Sequence, residues 1–364
     1  MYPLSTSEQF ATNHWYIAAW SSEISRTPLS RQLLGKPVMF YRSEAGAVIA
    51  MSDLCPHRRF PLSKGKLLGD KVQCQYHGFT FGPDGACVRI PAQERVPPKH
   101  RVRTFPVVEK WAWVWIWMGD PELADPALIP DHDLLYVEND EWCPVIGGRE
   151  YLKARYAIVH ENLLDLSHLS FLHETTIGSP NIATTEMNVE EKDGYLEIAR
   201  YIRSDTVENV PLAKALKMSG LVDRTMIQQF FAPSLHVTGS NFSSAQEGGE
   251  NPGYAYGSTR VIHAITPETE TSTHYFWAFS RNFVIEDDEL SKGIHKITYA
   301  AIEEDIFASE AIEANLNGAS NPADDLHCRA DAAALRGRVM IERLIAKENA
   351  EPEASEHLRV VNAS

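Results

Sequence analysis

Cys55-Pro56-His57-Arg58, then residues 59 to 73, then Cys74-Gln75-Tyr76-His77-Gly78 is the stretch whose reading decides the fold. Two loops each offer one thiolate and one imidazole. Zinc modules usually pair like with like, two cysteines on one knuckle and two histidines on a helix. Here each loop carries one of each, with Pro or Gly beside the donors. Mixed pairing of this kind suits an asymmetric two-iron cluster, in which one iron takes both cysteines and the other both histidines. Imidazole in place of thiolate removes negative charge, raises the potential and lets the cluster accept electrons from a ferredoxin. A structural zinc site is the alternative. Gly78 and Gly85 allow backbone N–H groups to approach the sulfurs, and Cys87, outside the pattern, reads as a buried small hydrophobe.

Outward from these loops, residues 35 to 120 read as short β-like runs broken by Gly and Pro. Val38–Arg42, Ser43-Glu44-Ala45-Gly46 and Ala47–Met51 form strand, turn and strand. In Trp111-Ala112-Trp113-Val114-Trp115-Ile116-Trp117 the period-two alternation puts all four tryptophans on one packed face of a strand. Asn13–Trp20 is given a packing role. The Pro-punctuated stretch from Gly119 to Pro130 marks the boundary between domains at 10–120 and 125–350. The second half mixes classes: residues 156 to 173 look helical, and Thr185–Arg203 reads as a hairpin turning at Lys192-Asp193-Gly194. Ser258–Asn282 reads as a hairpin turning around Pro267-Glu268-Thr269. Helices follow from Asp287 to about Leu316 and from Asp331 to Glu348. Strands followed by helices indicate an α+β fold, with an all-β N-terminal domain.

Length and charge bound the function classes. At 364 residues the chain is sized for two domains. Its net charge of −15 speaks against nucleic acid or an anionic membrane surface as partner. The longest apolar run, Trp111–Met118, falls far short of the ~20 residues a membrane-spanning helix needs. The N-terminus has no basic head or apolar core of a secretory signal. Five cysteines do not make a disulfide framework, so the expected location is the cytoplasm.

The proposed cluster, of the Rieske [2Fe–2S] type, only carries electrons, so the chain should also contain a site that uses them. Glu161-Asn162-Leu163-Leu164-Asp165-Leu166-Ser167-His168-Leu169-Ser170-Phe171-Leu172-His173 is the candidate. On a regular helix Asn162, Asp165 and His168 share a face, while His173 stands about 140° from His168. Both imidazoles reach one metal only where the helix ends or bulges between them. A non-haem iron(II) site that activates O₂ takes two histidines and one carboxylate. That carboxylate is either Asp165 or an acid from elsewhere. In the long C-terminal helix Ile294, Thr298, Ala301, Asp305, Ala308, Ile312 and Leu316 form one stripe, with Asp305 its one acid. Glu303 and Glu310 project toward solvent and Glu304 lies on the flank. Asp305 is the favoured ligand, a capped or salt-bridged acid the alternative. Asp165 then falls to holding a ligand imidazole or bridging to another redox centre.

These two constellations, in this order, resemble the oxygenase component of Rieske non-haem iron oxygenases over nearly the whole chain. The Glu161–His173 segment, Thr266-Pro267-Glu268-Thr269, His274-Tyr275-Phe276 and Glu304-Asp305 are similar to the branch containing vanillate and dicamba O-demethylases. The resemblance implies an iron held by His168, His173 and Asp305, with Asp165 and Asn162 as catalytic-site residues. It implies a cluster held by Cys55, His57, Cys74 and His77. It also implies a homotrimer in which a His77–Asp165–His168 path joins one subunit's cluster to the next subunit's iron. Electrons would come from NAD(P)H through a separate reductase carrying flavin and a plant-type [2Fe–2S] centre. The catalytic domain would be a helix-grip, a curved antiparallel sheet around a long helix. His263 matches a substrate-contacting His of the dicamba enzyme, and Asn241 falls near a contacting Asn. Lys296 stands where that enzyme has a Trp, which points away from a dicamba-like substrate.

The expected reaction inserts one atom of O₂ into a small aromatic substrate, as oxidative O- or N-dealkylation. Ring hydroxylation or dihydroxylation is the alternative, and a Rieske electron carrier without catalysis is the non-enzymatic one. Phe230, Phe231 and Leu235 suggest an apolar pocket.

Overall fold

The computed structural model describes residues 3–6, 8–206, 213, 216–218, 220–245, 254–316 and 326–350. They divide into two compact units. One comprises Thr12–Ile129 together with Thr266–Glu270; the other takes the described residues within Met1–Ala11, Pro130–Ile265 and Thr271–Ser364. Neither unit is a contiguous block, whereas the sequence placed the domains at 10–120 and 125–350. Residues at the N-terminus join the second unit because Ser5 donates its backbone N–H to Glu342 (2.7 Å) and the Gln9 carbonyl accepts from the Tyr156 hydroxyl (2.7 Å). Residues 266–270 join the first because the carbonyls of Pro267 and Glu268 accept from the N–H groups of Leu34 and Gly35, each at 2.8 Å.

The first unit is built from ten strands: β1 (Trp15–Trp20), β2 (Leu29–Leu33), β3 (Lys36–Arg42), β4 (Val48–Ser52), β5 (Lys66–Leu68), β6 (Lys71–Gln73), β7 (Thr80–Phe81), β8 (Cys87–Arg89), β9 (Val107–Lys110) and β10 (Trp113–Trp117). They form three antiparallel sheets, ordered β1-β10-β9, β2-β3-β4 and β5-β6-β7-β8. The tryptophan run departs from the one-face expectation. Trp111 has φ +52° and precedes the strand, and in β10 Val114 and Ile116 are as buried as Trp113, Trp115 and Trp117, so both faces are covered.

The second unit is one seven-stranded antiparallel sheet with helices. Its strands are β11 (Cys143–Leu152), β12 (Met187–Lys192), β13 (Tyr195–Thr206), β14 (Leu221–Phe231), β15 (Leu235–Ser244), β16 (Ala255–Thr269) and β17 (Ser272–Arg281), in the order β11-β17-β16-β15-β14-β13-β12. Alternation sets the faces: in β13 Leu196, Ile198, Arg200 and Ile202 are buried while their neighbours are less so. Among the described residues its helices are α1 (Tyr156–Leu164), α2 (Asn181–Thr184), α3 (Asp288–Leu316) and α4 (Ala332–Ala350). Ile294 and Ile302 of α3 join Ile265, Trp277 and Phe279 of the sheet in the core. The helix is thus gripped along its apolar face.

Two expectations about helices change. The helical reading of 156–173 breaks at Asp165, which caps α1 with extended backbone (φ −112°, ψ 92°) and starts a 3₁₀ turn over Leu166–Ser170. The stripe on α3 also drifts. Ile312 is 46% exposed, and Glu313 is buried in its stead. The reason is Arg155, whose Nε and Nη2 donate to the two Glu313 carboxylate oxygens at 2.7 and 2.6 Å, with the Arg155 backbone N–H adding a third bond at 3.0 Å. A buried carboxylate with that many donors is a closed pair.

Candidate active site and metal centres

The two cluster loops are built alike. Each cysteine N–H donates to the carbonyl five residues on: Cys55 to Phe60 at 3.0 Å, Cys74 to Phe79 at 2.8 Å. Each cysteine carbonyl accepts from the N–H four residues on, Arg59 at 2.7 Å and Gly78 at 3.0 Å. That fourth residue is left-handed in both, φ +57° at Arg59 and +71° at Gly78. Closing the loop this tightly requires the αL turn. Gly78 adopts it freely, whereas Arg59 adopts it against its Cβ. The loops bring Cys55 and Cys74 side by side and buried, with His57 and His77 exposed and their rings 4.6 Å apart. Burial, with the neighbouring Cys74 thiol, pushes the Cys55 thiol up to about 11.

This arrangement fits a two-iron cluster better than a single zinc. Two inner thiols and two outer imidazoles form a split set. Among the described residues, the trio with its ligand atoms all within 4.8 Å of one another is a different one: His168, His173 and Asp305. Two buried thiols side by side are matched by metal, which takes thiolates outright.

The trio forms a near-equilateral triangle. His168 Nε2 and His173 Nε2 are 3.2 Å apart, and Asp305 Oδ1 lies 3.3 and 3.1 Å from them. Metal bonds of about 2.1 Å at right angles put ligand atoms ~3.0 Å apart, so this is the spacing of three ligands on one face of an octahedron. The break at Asp165 makes it feasible. Because α1 has ended, His168 sits in the 3₁₀ turn and His173 beyond it, and the two rings converge instead of diverging around a helix.

Both imidazoles are oriented from behind. His168 Nδ1–H donates to the Asp165 carbonyl at 2.5 Å, and His173 Nδ1–H donates to Glu304 Oε2 at 2.6 Å. Since those partners only accept, each Nε2 keeps its lone pair for a metal. Thr176 Oγ1 also donates to Glu304 Oε2, at 2.9 Å. Asn162 Nδ2 donates to Asp305 Oδ1 at 3.1 Å.

Asp165 does not hold His168 with its side chain. Its carboxylate instead accepts from the Ser167 N–H and hydroxyl, each at 2.9 Å, and the main-chain carbonyl holds the imidazole. The carboxylate keeps 24% exposure.

Asp305, His168 and His173 line a cavity of about 140 Å³ whose other walls include Leu166, Leu169, Met226, Phe242 and Val261. Cavities of about 150 Å³ hold one benzene ring. His263 also lines it, with Nε2 2.8 Å from Thr238 Oγ1 and Nδ1 2.5 Å from the Tyr275 hydroxyl. Burial lowers its pKa to about 4, so it is neutral.

Other expectations move. Phe230, Phe231 and Leu235 do not line this cavity. Phe230 is in the core, stacked on His236. Asn241 is not among the lining residues either; alternation along β15 turns it away from Ser240 and Phe242, and its Oδ1 accepts from Arg260 at 3.0 Å. Lys296 is solvent-exposed, two positions from Ile294 and Thr298, which line the cavity. On a helix a residue two positions away points elsewhere.

Glu304 and Arg224 are site residues that periodicity alone missed. Glu304 precedes Asp305, and the partner that exposes its role, His173, is 131 residues away in sequence. His160 and His236 form a further buried pair, Nδ1 to Nε2 at 2.7 Å, and burial holds both well below the usual histidine range.

Residues 14–106 match the Rieske [2Fe-2S] domain family, and residues 152–347 match the vanillate O-demethylase oxygenase C-terminal domain family. The chain is 38% identical to the iron-sulfur subunit of the toluene-4-sulfonate monooxygenase system of Comamonas testosteroni, over 93% of this chain and 98% of that protein. It is 34% identical to a vanillate O-demethylase oxygenase subunit of a Pseudomonas strain, over 95% and 98%. The crystal structure of dicamba monooxygenase bound to 3,6-dichlorosalicylic acid superposes with a TM-score of 0.84 at 34% identity, covering 94% of this chain and 99% of that one. The same enzyme with non-haem iron and dicamba gives 0.77.

Proposed function

The chain belongs to the Rieske non-haem iron oxygenases, in the vanillate and dicamba O-demethylase branch, and from that membership we propose that it dealkylates a single-ring aromatic ether or N-alkyl compound. It is the oxygenase component of a multicomponent monooxygenase, with a Rieske [2Fe–2S] cluster, a mononuclear iron and O₂ as co-substrate. It works with a reductase or ferredoxin and a small aromatic substrate. Among the described residues no helix is long and apolar enough to cross a membrane.

In our reading Cys55, His57, Cys74 and His77 hold the cluster, and His168, His173 and Asp305 hold the iron. The oriented triangle of the trio is the observation that carries this reading. Bound there, the two groups supply one-electron transfer and O₂ reduction, which put one oxygen atom into a substrate C–H bond and the other into water. The protein's share is positional. The Asp165 carbonyl and Glu304 fix the imidazole tautomers, Asn162 steadies Asp305, and the apolar wall excludes water from the reacting carbon. A hydroxylated methoxy or N-alkyl carbon then loses its aryl oxygen or nitrogen and leaves as an aldehyde.

Asp165 serves as the bridge between His77 of one subunit and His168 of the next in a homotrimer. Its partly exposed carboxylate, on the residue whose carbonyl holds His168, supports that role. Unpaired cysteines fit a cytoplasmic location beside an NAD(P)H-dependent reductase.

Asp305→Ala is the decisive test: turnover should vanish while the visible absorbance of the cluster persists. Iron should fall from about three to about two atoms per chain. Wild-type turnover in that variant overturns the ligand assignment. Aldehyde release from methoxybenzoates and N-alkyl anilides separates dealkylation from ring hydroxylation.

A further inference from the structure

Arg224 sits on β14 opposite Phe242 of β15, on the face that lines the cavity with Met226 and Ser240. It is 5% exposed, and its guanidinium is held by neutral acceptors only. Nε donates to Ser240 Oγ at 2.9 Å, Nη1 reaches the Ile177 carbonyl at 3.4 Å, and the plane lies over Phe242 with 5.4 Å to the ring centroid. Among the described residues no carboxylate lies within ion-pair distance of it. Asp205, the acid that acts on it from farther off, accepts from Ser179, Asn181 and the Thr206 N–H. Burial lowers Arg224 to about 10, which still leaves it charged at neutral pH.

A buried charge without a counter-ion is costly, and the cost is removed when a ligand brings the opposite charge. The other basic groups around the cavity are engaged differently. His263 is neutral, with both ring nitrogens engaged by hydroxyls. Arg260 lines the cavity too, is as buried and likewise has only neutral acceptors, but its guanidinium is directed to the Thr259 carbonyl and the Asn241 side chain and lies over two rings, Tyr136 and Trp142, which offset part of the cost of its charge.

We propose that Arg224 receives an anionic ring substituent, a carboxylate or a sulfonate, so that the substrate is a single-ring aromatic anion. The assignment deepens the dealkylation reading and rests on it for the identity of the cavity. Oxyanions suit the site because guanidinium binds two of their oxygens through parallel N–H donors, with Ser240 already fixing one edge. The opposite requirement, an apolar environment for the reacting carbon, is met by the Leu166, Leu169 and Val261 walls.

The test uses the holoenzyme and three probes: 4-methoxybenzoate, 4-methoxybenzenesulfonate and the neutral 4-methoxybenzamide. Calorimetric titration should give at least one anion binding about 10- to 100-fold tighter than the amide, as charge-assisted hydrogen bonds imply. R224M should erase that margin and R224K should keep part of it, with cluster absorbance unchanged in both. Equal binding of anions and amide by the wild type overturns the proposal, as does a margin that survives R224M, or no binding of either anion at millimolar concentration. Should R224M fail to fold, the wild-type margin and the R224K response decide. Formaldehyde release is read on the same samples. Anion-selective binding without formaldehyde leaves Arg224's role intact and removes dealkylation, whereas formaldehyde formed equally well from the amide does the reverse.

Discussion

The two proposed metal centres are assembled in opposite ways. The cluster loops each close within six residues, on their own backbone hydrogen bonds, and 15 residues separate Arg58 from Cys74. The trio instead draws His168 and His173 from a broken helix to meet Asp305, with Glu304 reaching back across 131 positions. A local site can be damaged locally. An assembled site depends on whatever holds α3 against α1 and the sheet. Cys74→Ser sharpens the contrast most strongly: the visible absorbance and reduced-state spin signal should disappear, while iron bound by the trio and the urea midpoint of the second unit persist. Loss of both iron pools together would break the comparison.

Arg155→Ala tests the opposite side. It leaves buried Glu313 unpaired at the far end of α3, which should cost about 3–5 kcal/mol in urea unfolding. Trio iron should be lost on mild warming before the cluster colour fades. Glu304→Ala acts more narrowly, freeing His173 Nδ1, and should weaken trio iron binding about 10- to 100-fold without touching the cluster. Iron titration of chelator-treated protein checks it.

Acid should also separate the two sites. His160 and His263 are lowered to about 3 and about 4 in the fold, against 6.5 for a free histidine. The unfolded chain therefore takes up protons that the folded chain refuses. Stability present above pH 6.5 is lost as the pH falls toward those lowered values, by up to about 1.4 kcal/mol per pH unit for each histidine. Urea midpoints at pH 7.5 and 5.5 measure the slope, and a flat response would mean these imidazoles are charged in the fold. The smallest effect belongs to the loops. Arg59→Gly relieves a left-handed residue and should stabilise by at most about 1 kcal/mol, whereas Gly78→Ala adds a Cβ 2.8 Å from Pro91 Cγ at φ +71° and should destabilise.

The same contrast explains what could be read in the sequence. Cys55, His57, Cys74 and His77 stand out because their spacing is the motif. Asp305 stands out as an acid on an apolar stripe. Glu304 does not, because its meaning lies in a hydrogen bond to a distant residue, and a flanking position on a helix looks solvated. The His168–His173 spacing contained the need for a helix break, and Asp165 supplied it as a cap. The α3 stripe misplaced Ile312 because the pattern does not reveal Arg155, which draws Glu313 inward. Asn241 and Lys296 came from positional likeness alone, and strand alternation and helical phase send both away from the cavity. Arg224 was hidden for a related reason: a charged residue in a strand reads as solvent-facing until the register with Phe242 and Ser240 is known.

The hairpin tip at 266–270 bears on any attempt to isolate the electron-carrying module. A polypeptide ending at Ile129 lacks the carbonyls of Pro267 and Glu268, leaving the Leu34 and Gly35 amides to find water or other acceptors. Leu34 is almost wholly buried, so water reaches that amide poorly. Excision therefore calls for grafting a short loop in place of the missing tip, or for redesigning the Leu34-Gly35 corner to satisfy itself.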